Sequence, residues 1–266
     1  EVRAWGRLRH PNIVELLGVA FPGGRPAMVM PWYRNGNAVE YLRQHPGSDR
    51  FALVFDVARG LTYMHGLIPP LLHCDLRAGN VLITDEGHAL LSDFGFSKPQ
   101  GSLALSICPM GAIRWWAPEL LVDGDDEGGK DANSPEFSVC TDVWAFGCTV
   151  FQLMTSKRPY HTRRDWSVAK DILEGKPPGD CSEDMWHEGT WAIKQQLHHC
   201  WAFDAAQRPS MRDVEFCLRE VESRVSISYE SDIRASGYDA EVSALGGWFW
   251  LMSVIFLVAA VMVARL

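Results

Sequence analysis

Two short stretches decide the fold: His73-Cys74-Asp75-Leu76-Arg77-Ala78-Gly79-Asn80, and Asp93-Phe94-Gly95, which begins 13 residues after Asn80. Between them, residues 80–83 and 89–92 form two apolar runs around Asp85-Glu86-Gly87, a pattern that predicts a β-hairpin. Two acids and one amide are therefore predicted on loops beside one hairpin. An Asp-aromatic-Gly tripeptide alone is common in turns, so the order and the spacing carry the information.

The flanking sequence predicts short strands before this region and helices around it. Apolar runs at 13–19 and 27–30, separated by Pro22-Gly23-Gly24, predict two strands joined by a turn. Asn37 opens a predicted helix that reaches Leu42, and residues 51–65 carry an apolar stripe at helical spacing. From 141 to 222 the patterns are mainly helical, while the acidic, glycine-rich stretch at 123–138 predicts a solvated loop.

Further motifs occur in a fixed order around the two stretches. They are His10-Pro11-Asn12-Ile13-Val14, Leu17-Gly18-Val19, Ala117-Pro118-Glu119, Asp142-Val143-Trp144-Ala145-Phe146-Gly147, Cys200-Trp201 and Arg208-Pro209-Ser210-Met211. Together they resemble a eukaryotic protein kinase, most like the tyrosine-kinase-like group and similar to its fungal members, from Glu1 to about Val221. The resemblance implies an α+β, protein-kinase-like fold with a mainly helical C-lobe and a partial N-lobe.

The resemblance also implies roles for the polar residues of the two loops. Asp75 would accept the proton of a substrate hydroxyl, and Asn80 and Asp93 would hold Mg²⁺ against the phosphates of ATP. Arg77 stands where serine/threonine kinases usually carry Lys, and its guanidinium could reach the γ-phosphate. A turn-stabilising acid is the alternative interpretation of Asp75.

An ATP site is implied at the segment Met30-Pro31-Trp32-Tyr33. Met30 matches the gatekeeper position, Pro31 would offer its carbonyl to adenine, and Tyr33 would donate its backbone N–H. Leu82 would pack beneath the adenine ring, although ordinary core packing explains it equally well.

Two structural features are implied as well. Trp5, Leu17, Phe94 and His73 would form an apolar column between the lobes. Glu119 and Arg208 would form a buried ion pair, in which loss of one partner leaves the other charge unpaired.

Several departures from the family pattern leave the activity open. Cys74 replaces the Arg that would receive an activation-loop phosphate, and Ala112 replaces a Thr found beside the catalytic Asp in serine/threonine kinases. The sequence contains neither a glycine-rich loop nor a Val-Ala-Ile-Lys strand, so weak activity of this chain alone is expected. A protein kinase, more for Ser/Thr than for Tyr, is the predicted function. The alternative is a pseudokinase or scaffold that binds partners at a membrane.

Composition and the C-terminal sequence predict the environment of the chain. Its net charge of -8 argues against a nucleic-acid partner, and the seven scattered cysteines suit reduced thiols. The predicted organisation is a kinase domain over 1–223, a flexible linker over 224–243 and a transmembrane helix over 244–264, which has 21 residues without a charge. ATP, a protein substrate and a membrane are thus the expected partners. The expected localisation is a single-pass membrane protein whose kinase-like domain faces the cytosol.

Overall fold

The described part of the chain covers four ranges. In a computed structural model, the structure describes residues 5–102, 111–121, 136–179 and 191–221. All of them belong to the first of two units of the chain, Glu1–Glu222, and the second unit is Ser223–Leu266.

One part of the expected fold class is corrected. Within the four described ranges, no helix has the length and apolarity needed to cross a membrane, so the transmembrane helix is not supported. The segment to which it was assigned, 244–264, and the expected linker at 224–243 lie outside the described residues.

Besides the helical residue Trp5 and several short 3-10 helices, the described residues form six α-helices and six short strands. The helices are α1 (Ala38–Gln44), α2 (Arg50–His65), α3 (Val139–Thr155), α4 (Asp165–Leu173), α5 (Trp191–Cys200) and α6 (211–221). The strands are β1 (Gly18–Ala20), β2 (Ala27–Val29), β3 (Leu71–Leu72), β4 (Val81–Ile83), β5 (Ala89–Leu91) and β6 (Lys98–Pro99). They pair antiparallel as β1–β2, β3–β6 and β4–β5, which confirms an α+β architecture.

The N-terminal hairpin is present but shorter than the sequence pattern suggests. Gly18 pairs with Val29 and Ala20 pairs with Ala27, across the turn at Pro22–Gly24. The first expected strand began at residue 13, yet the backbone N–H of Val14 donates to Leu91 O at 2.9 Å. This segment therefore joins β5 instead of β2.

The segment before the hairpin is fastened to the core beside the two polar loops. Leu91 N donates to Asn12 O at 2.9 Å, and Asn12 Nδ2 donates to Ala89 O at 3.1 Å. The backbone of Asn12 can approach helix α2 closely because the helix residue at this contact is Gly60. A Cβ there would lie 2.8 Å from Asn12 O.

Capping residues set where the first two helices begin. Asn37 accepts hydrogen bonds from the N–H groups of Val39 and Glu40, and Asp49 accepts one from Ala52. The apolar stripe of α2 is buried, as predicted, at Leu53, Val54, Val57, Leu61 and Met64.

Helix α3 is the centre of the C-lobe. Every residue from Thr141 to Leu153 is buried, and the helix packs against α2 and α5. A helix buried on all faces provides a fixed platform for the loops that contact it.

Candidate active site

Hairpin β4–β5 holds the two polar loops together. Asn80 lies directly before β4 and Ser92 directly after β5. The carbonyl oxygen of Asn80 accepts hydrogen bonds from Ser92 N at 2.9 Å and from Ser92 Oγ at 2.8 Å. The loop that carries Asp75 and the loop that carries Asp93 therefore have a fixed relation to each other.

Asp75 lies at the centre of the first loop, and its carboxylate is held on one side. Its Oδ2 accepts a hydrogen bond from Asn80 Nδ2 at 2.8 Å, and Arg77 Nε lies 3.4 Å away. The same Asn80 amide donates to the backbone oxygen of Asp75 at 2.8 Å. Asp75 Oδ1 is buried and has no hydrogen-bond partner in the described part of the chain, so it can accept a proton or a hydroxyl hydrogen bond.

The environment of Asp75 favours proton acceptance. Burial raises the pKa of Asp75 above its ordinary value, while Arg77 and the hydrogen bond from Asn80 oppose this shift. A general base works best when its pKa lies closer to the operating pH, so the raised pKa suits the role inferred from the sequence.

Asn80 and Asp93 offer the oxygen ligands that a divalent cation needs. Asn80 Nδ2 donates its hydrogen bonds to Asp75, so the amide oxygen Oδ1 of Asn80 is the atom left to bind a cation. Asp93 is exposed, and its backbone is left-handed, with φ 61° and ψ 66°. Carboxylate and amide oxygens suit Mg²⁺, so the residues present fit such an ion.

His73 joins the two loops through both ring nitrogens. Nε2 lies 3.1 Å from Ser92 O, and Nδ1 accepts the backbone N–H of Asp75 at 3.3 Å. These partners require the neutral tautomer with its proton on Nε2. Burial lowers the pKa of His73, which favours the neutral ring.

The expected apolar column forms in part. The rings of Trp5 and Phe94 lie 5.2 Å apart, and those of Phe94 and His73 lie 5.5 Å apart. Trp5 is fixed further by donating its indole N–H to Val14 O at 2.6 Å. Leu17 does not share this burial, because its side chain is 58% exposed next to β1. The buried part of the column therefore consists of Trp5, Phe94 and His73.

Asp142, in the first turn of α3, clamps the backbone of the Asp75 loop. Its Oδ2 accepts the N–H of His73 at 2.8 Å, and its Oδ1 accepts the N–H of Cys74 at 3.0 Å. The sequence marks Asp142 as part of a motif but does not show this contact. Neither the hydrogen bonds of Asp142 to the loop backbone nor those of Ser92 to Asn80 were predicted from the sequence.

Cys74 lies beneath the loop in a separate apolar cluster. It packs with Leu72, Leu120 and Phe137, and burial raises the pKa of its thiol. A buried neutral thiol has no positive charge with which to bind an activation-loop phosphate, as expected from the replacement of Arg by Cys74.

The expected adenine segment lies at the end of β2. Met30 is 41% exposed, whereas Pro31, Tyr33 and Leu82 are half-buried. The segment continues into the cap of α1, where Gly36 O accepts the N–H of Ile83 at 2.9 Å. The hydrogen bond to Ile83 places the end of the segment beside the strand that carries Leu82.

The expected ion pair between Glu119 and Arg208 is confirmed. Arg208 Nη1 and Nη2 donate to the two carboxylate oxygens at 2.7 and 2.8 Å, and the Arg208 side chain is fully buried. Arg208 also donates to Ala202 O and Cys140 O, both at 2.9 Å, and lies 5.1 Å from the centre of a ring of Trp144. This residue joins three segments of the C-lobe.

Comparison with known proteins decides the family. The sequence profile described as protein tyrosine and serine/threonine kinase matches residues 1–218. The chain belongs to this family. Rat receptor-interacting serine/threonine-protein kinase 3 is 32% identical over 236 residues, which cover 81% of this chain and 46% of that protein. Mitogen-activated protein kinase kinase kinase 5 of Arabidopsis thaliana is 28% identical over 79% of this chain and 28% of that protein. Dual specificity protein kinase splA of Dictyostelium discoideum is 28% identical over 87% of this chain and 10% of that protein.

The family match agrees with the protein-kinase-like fold expected from the sequence. Members of the family transfer a phosphoryl group from ATP to proteins and use a divalent metal ion. The kinase chain spans between about a tenth and about half of the length of these three relatives.

Proposed function

We propose that this kinase domain transfers the γ-phosphoryl group of ATP to a Ser or Thr hydroxyl of a protein. The observation that carries the proposal is the hydrogen-bonded connection of Asp75, Asn80 and the Asp93 loop around one hairpin. Phosphoryl transfer requires that the reactants are positioned and that their charge is stabilised. A small number of side chains is enough to provide both.

Each polar residue has one role in this proposal. Asp75 orients the acceptor hydroxyl and takes its proton at Oδ1, the oxygen without a partner in the described residues. Asn80 and Asp93 hold the divalent ion, which we assign as Mg²⁺ and which neutralises phosphate charge when bound. Arg77, whose side chain is 40% exposed beside Asp75, keeps positive charge near the transferred group.

ATP binding is assigned to the segment after β2. Pro31 O and Tyr33 N–H would pair with adenine, Met30 would border the ring and Leu82 would pack beneath it. This assignment is supported by the hydrogen bond from Ile83 N–H to Gly36 O, which ties the chain three residues after the segment to β4 and so keeps the adenine segment near the Asp75 loop.

The preference for Ser or Thr is supported by the relatives rather than by the site alone. The rat relative named above is a serine/threonine kinase, whereas the Dictyostelium relative is called a dual specificity kinase. Membership of the tyrosine-kinase-like group and similarity to its fungal members stay predictions.

Replacement of Asp93 by asparagine tests the metal part of the site. In the full-length protein, Asp93→Asn should weaken Mg²⁺-dependent binding of an unreactive ATP analogue at least about tenfold, since a neutral amide is a poorer ligand for Mg²⁺ than a carboxylate. Calorimetry with and without Mg²⁺ measures this difference. Asp204→Asn is the control, because Asp204 caps the turn Ala205–Gln207 outside the site and Asn is an equally good cap. Equal Mg²⁺ dependence in both variants would remove Asp93 from the metal site.

A further inference from the structure

A small cavity lies beside Asp75, and most of its walls have no role in the proposed transfer. The walls come from the Asp75 loop, the segment 112–116, Phe137 and the first two turns of α3. The volume of the cavity is about 10 Å³, at the lower end of the roughly 10–15 Å³ that one water molecule requires. The cavity therefore has room for one very small molecule.

Three polar atoms of the residues that line this cavity are buried and lack a hydrogen-bond partner in the described part of the chain. They are Oδ1 of Asp75, Nε1 of Trp115 and Nε1 of Trp116. The side chains of Asp75 and Trp115 belong to residues that are only 5% and 8% exposed. Buried polar atoms in folded proteins are almost always paired with protein or with ordered water, so three such atoms around one cavity point to a bound molecule.

The chemistry of the three atoms selects water as that molecule. The carboxylate oxygen of Asp75 needs a donor, whereas each indole N–H needs an acceptor. One water molecule can donate to Asp75 and accept from Trp115 and Trp116, and three hydrogen bonds are the usual number for a buried water. An anion would be repelled by the carboxylate, and a metal cation would be repelled by the two N–H donors.

A water at this position would complete the support of the Asp75 side chain. Oδ2 is held by Asn80 Nδ2 at 2.8 Å, and Arg77 Nε lies 3.4 Å away. The last torsion of an Asp side chain has a broad minimum, so a hold on one oxygen leaves the carboxylate plane free to turn. A hydrogen bond to Oδ1 fixes that plane. Oδ1 keeps a second lone pair for the acceptor hydroxyl.

We infer that Trp115 and Trp116 are positioning residues for phosphoryl transfer, which hold one water molecule in this cavity against Oδ1 of Asp75. The inference rests on the proposed function, because it concerns the same reaction. Ala112 leaves the space for the water, since its side chain on the cavity wall is a single methyl group. Both tryptophans act on Asp75 through the water.

The nearly isosteric pair Ala112→Val and Ala112→Thr tests the role of the water. Both side chains add the volume that expels it, but only Thr brings a hydroxyl that can donate to Asp75 and accept from an indole N–H. In the full-length protein, kcat should be at least about tenfold higher in Ala112→Thr than in Ala112→Val, while KM for ATP should agree within about twofold. Equal kcat values in the two variants would overturn the inference, whether both are low or both match the unmutated protein.

Trp115→Phe tests the indole donor without filling the cavity. It keeps an aromatic ring but removes the N–H, so kcat should fall about tenfold with little change in KM for ATP. Trp201→Phe is the matched control, because Trp201 is 7% exposed directly after α5 and does not line the cavity. That variant should keep kcat within about twofold. Equal losses in the two variants would overturn the inference, because loosened packing would then explain both.

Nuclear magnetic resonance detects the water without reference to activity. In full-length protein labelled with ¹⁵N-tryptophan, the indole N–H signals are assigned with Trp115→Phe and Trp116→Phe. Both signals should show nuclear Overhauser effects to a long-lived water, and these should vanish in Ala112→Val. Their absence from the unmutated protein would overturn the inference. Failure of the unmutated protein to transfer phosphate would instead contradict the proposed function, because the signals report the water whether or not transfer occurs.

Discussion

Asp75→Asn is expected to lower kcat for phosphoryl transfer by at least about a hundredfold. The amide is nearly the same size as the carboxylate, and its oxygen can still accept the hydrogen bond from Asn80. It cannot take a proton from the acceptor hydroxyl. The loop geometry should therefore survive, and KM for ATP should stay within about threefold.

Steady-state kinetics of the full-length protein measure this effect. Asp85→Asn is the matched control, because it makes the same chemical change in the turn of hairpin β4–β5 on a side chain that is 49% exposed. That variant should keep kcat near the wild-type value. Wild-type turnover in Asp75→Asn would assign Asp75 to the structural role of bracing its loop.

Arg208→Met should lower the free energy of unfolding by about 3 kcal/mol or more. The substitution removes the partner of Glu119 and leaves the carbonyl oxygens of Ala202 and Cys140 without their donor. Glu119 is 32% exposed, so water recovers part of the loss on that side. Total stabilities of domains are about 5–15 kcal/mol, which makes this a large effect.

Chemical denaturation monitored by tryptophan fluorescence gives the change in unfolding free energy. Lys170→Met is the control, because Lys170 and Glu174 are 3.7 Å apart on the surface, with side chains 77% and 42% exposed. An exposed pair of this kind contributes about 0–1 kcal/mol. Equal losses in the two variants would show that burial of Arg208 does not set the strength of its ion pair.

Sequence patterns predicted the local elements well. The stripe over 51–65 gave helix α2 to within one residue, and the apolar runs around Asp85 gave hairpin β4–β5. Periodicity records which residues face the core within one element, so it is informative at this range. The order of the motifs then identified the family that residues 1–218 match.

Contacts between distant segments could not be predicted in this way. Asp142 lies 69 positions from His73, and no local pattern announces that its carboxylate holds that backbone. The left-handed conformation of Cys74 was equally hidden, because a cysteine does not signal positive φ as a glycine does. The predicted strand over 13–19 was wrong at its start for a related reason. The N–H of Val14 donates to β5, and this tertiary contact overrides the apolar strand pattern.

The most direct test of the account follows the γ-phosphate of ATP. The full-length protein is incubated with Mg²⁺ and ATP radiolabelled at that position, together with a protein acceptor, and the labelled amino acids are separated after acid hydrolysis. Label is expected in phosphoserine and phosphothreonine, and it should be lost in Asp75→Asn. Label in inorganic phosphate alone, or no release of label at all, would contradict the claim that this site is a protein kinase active site.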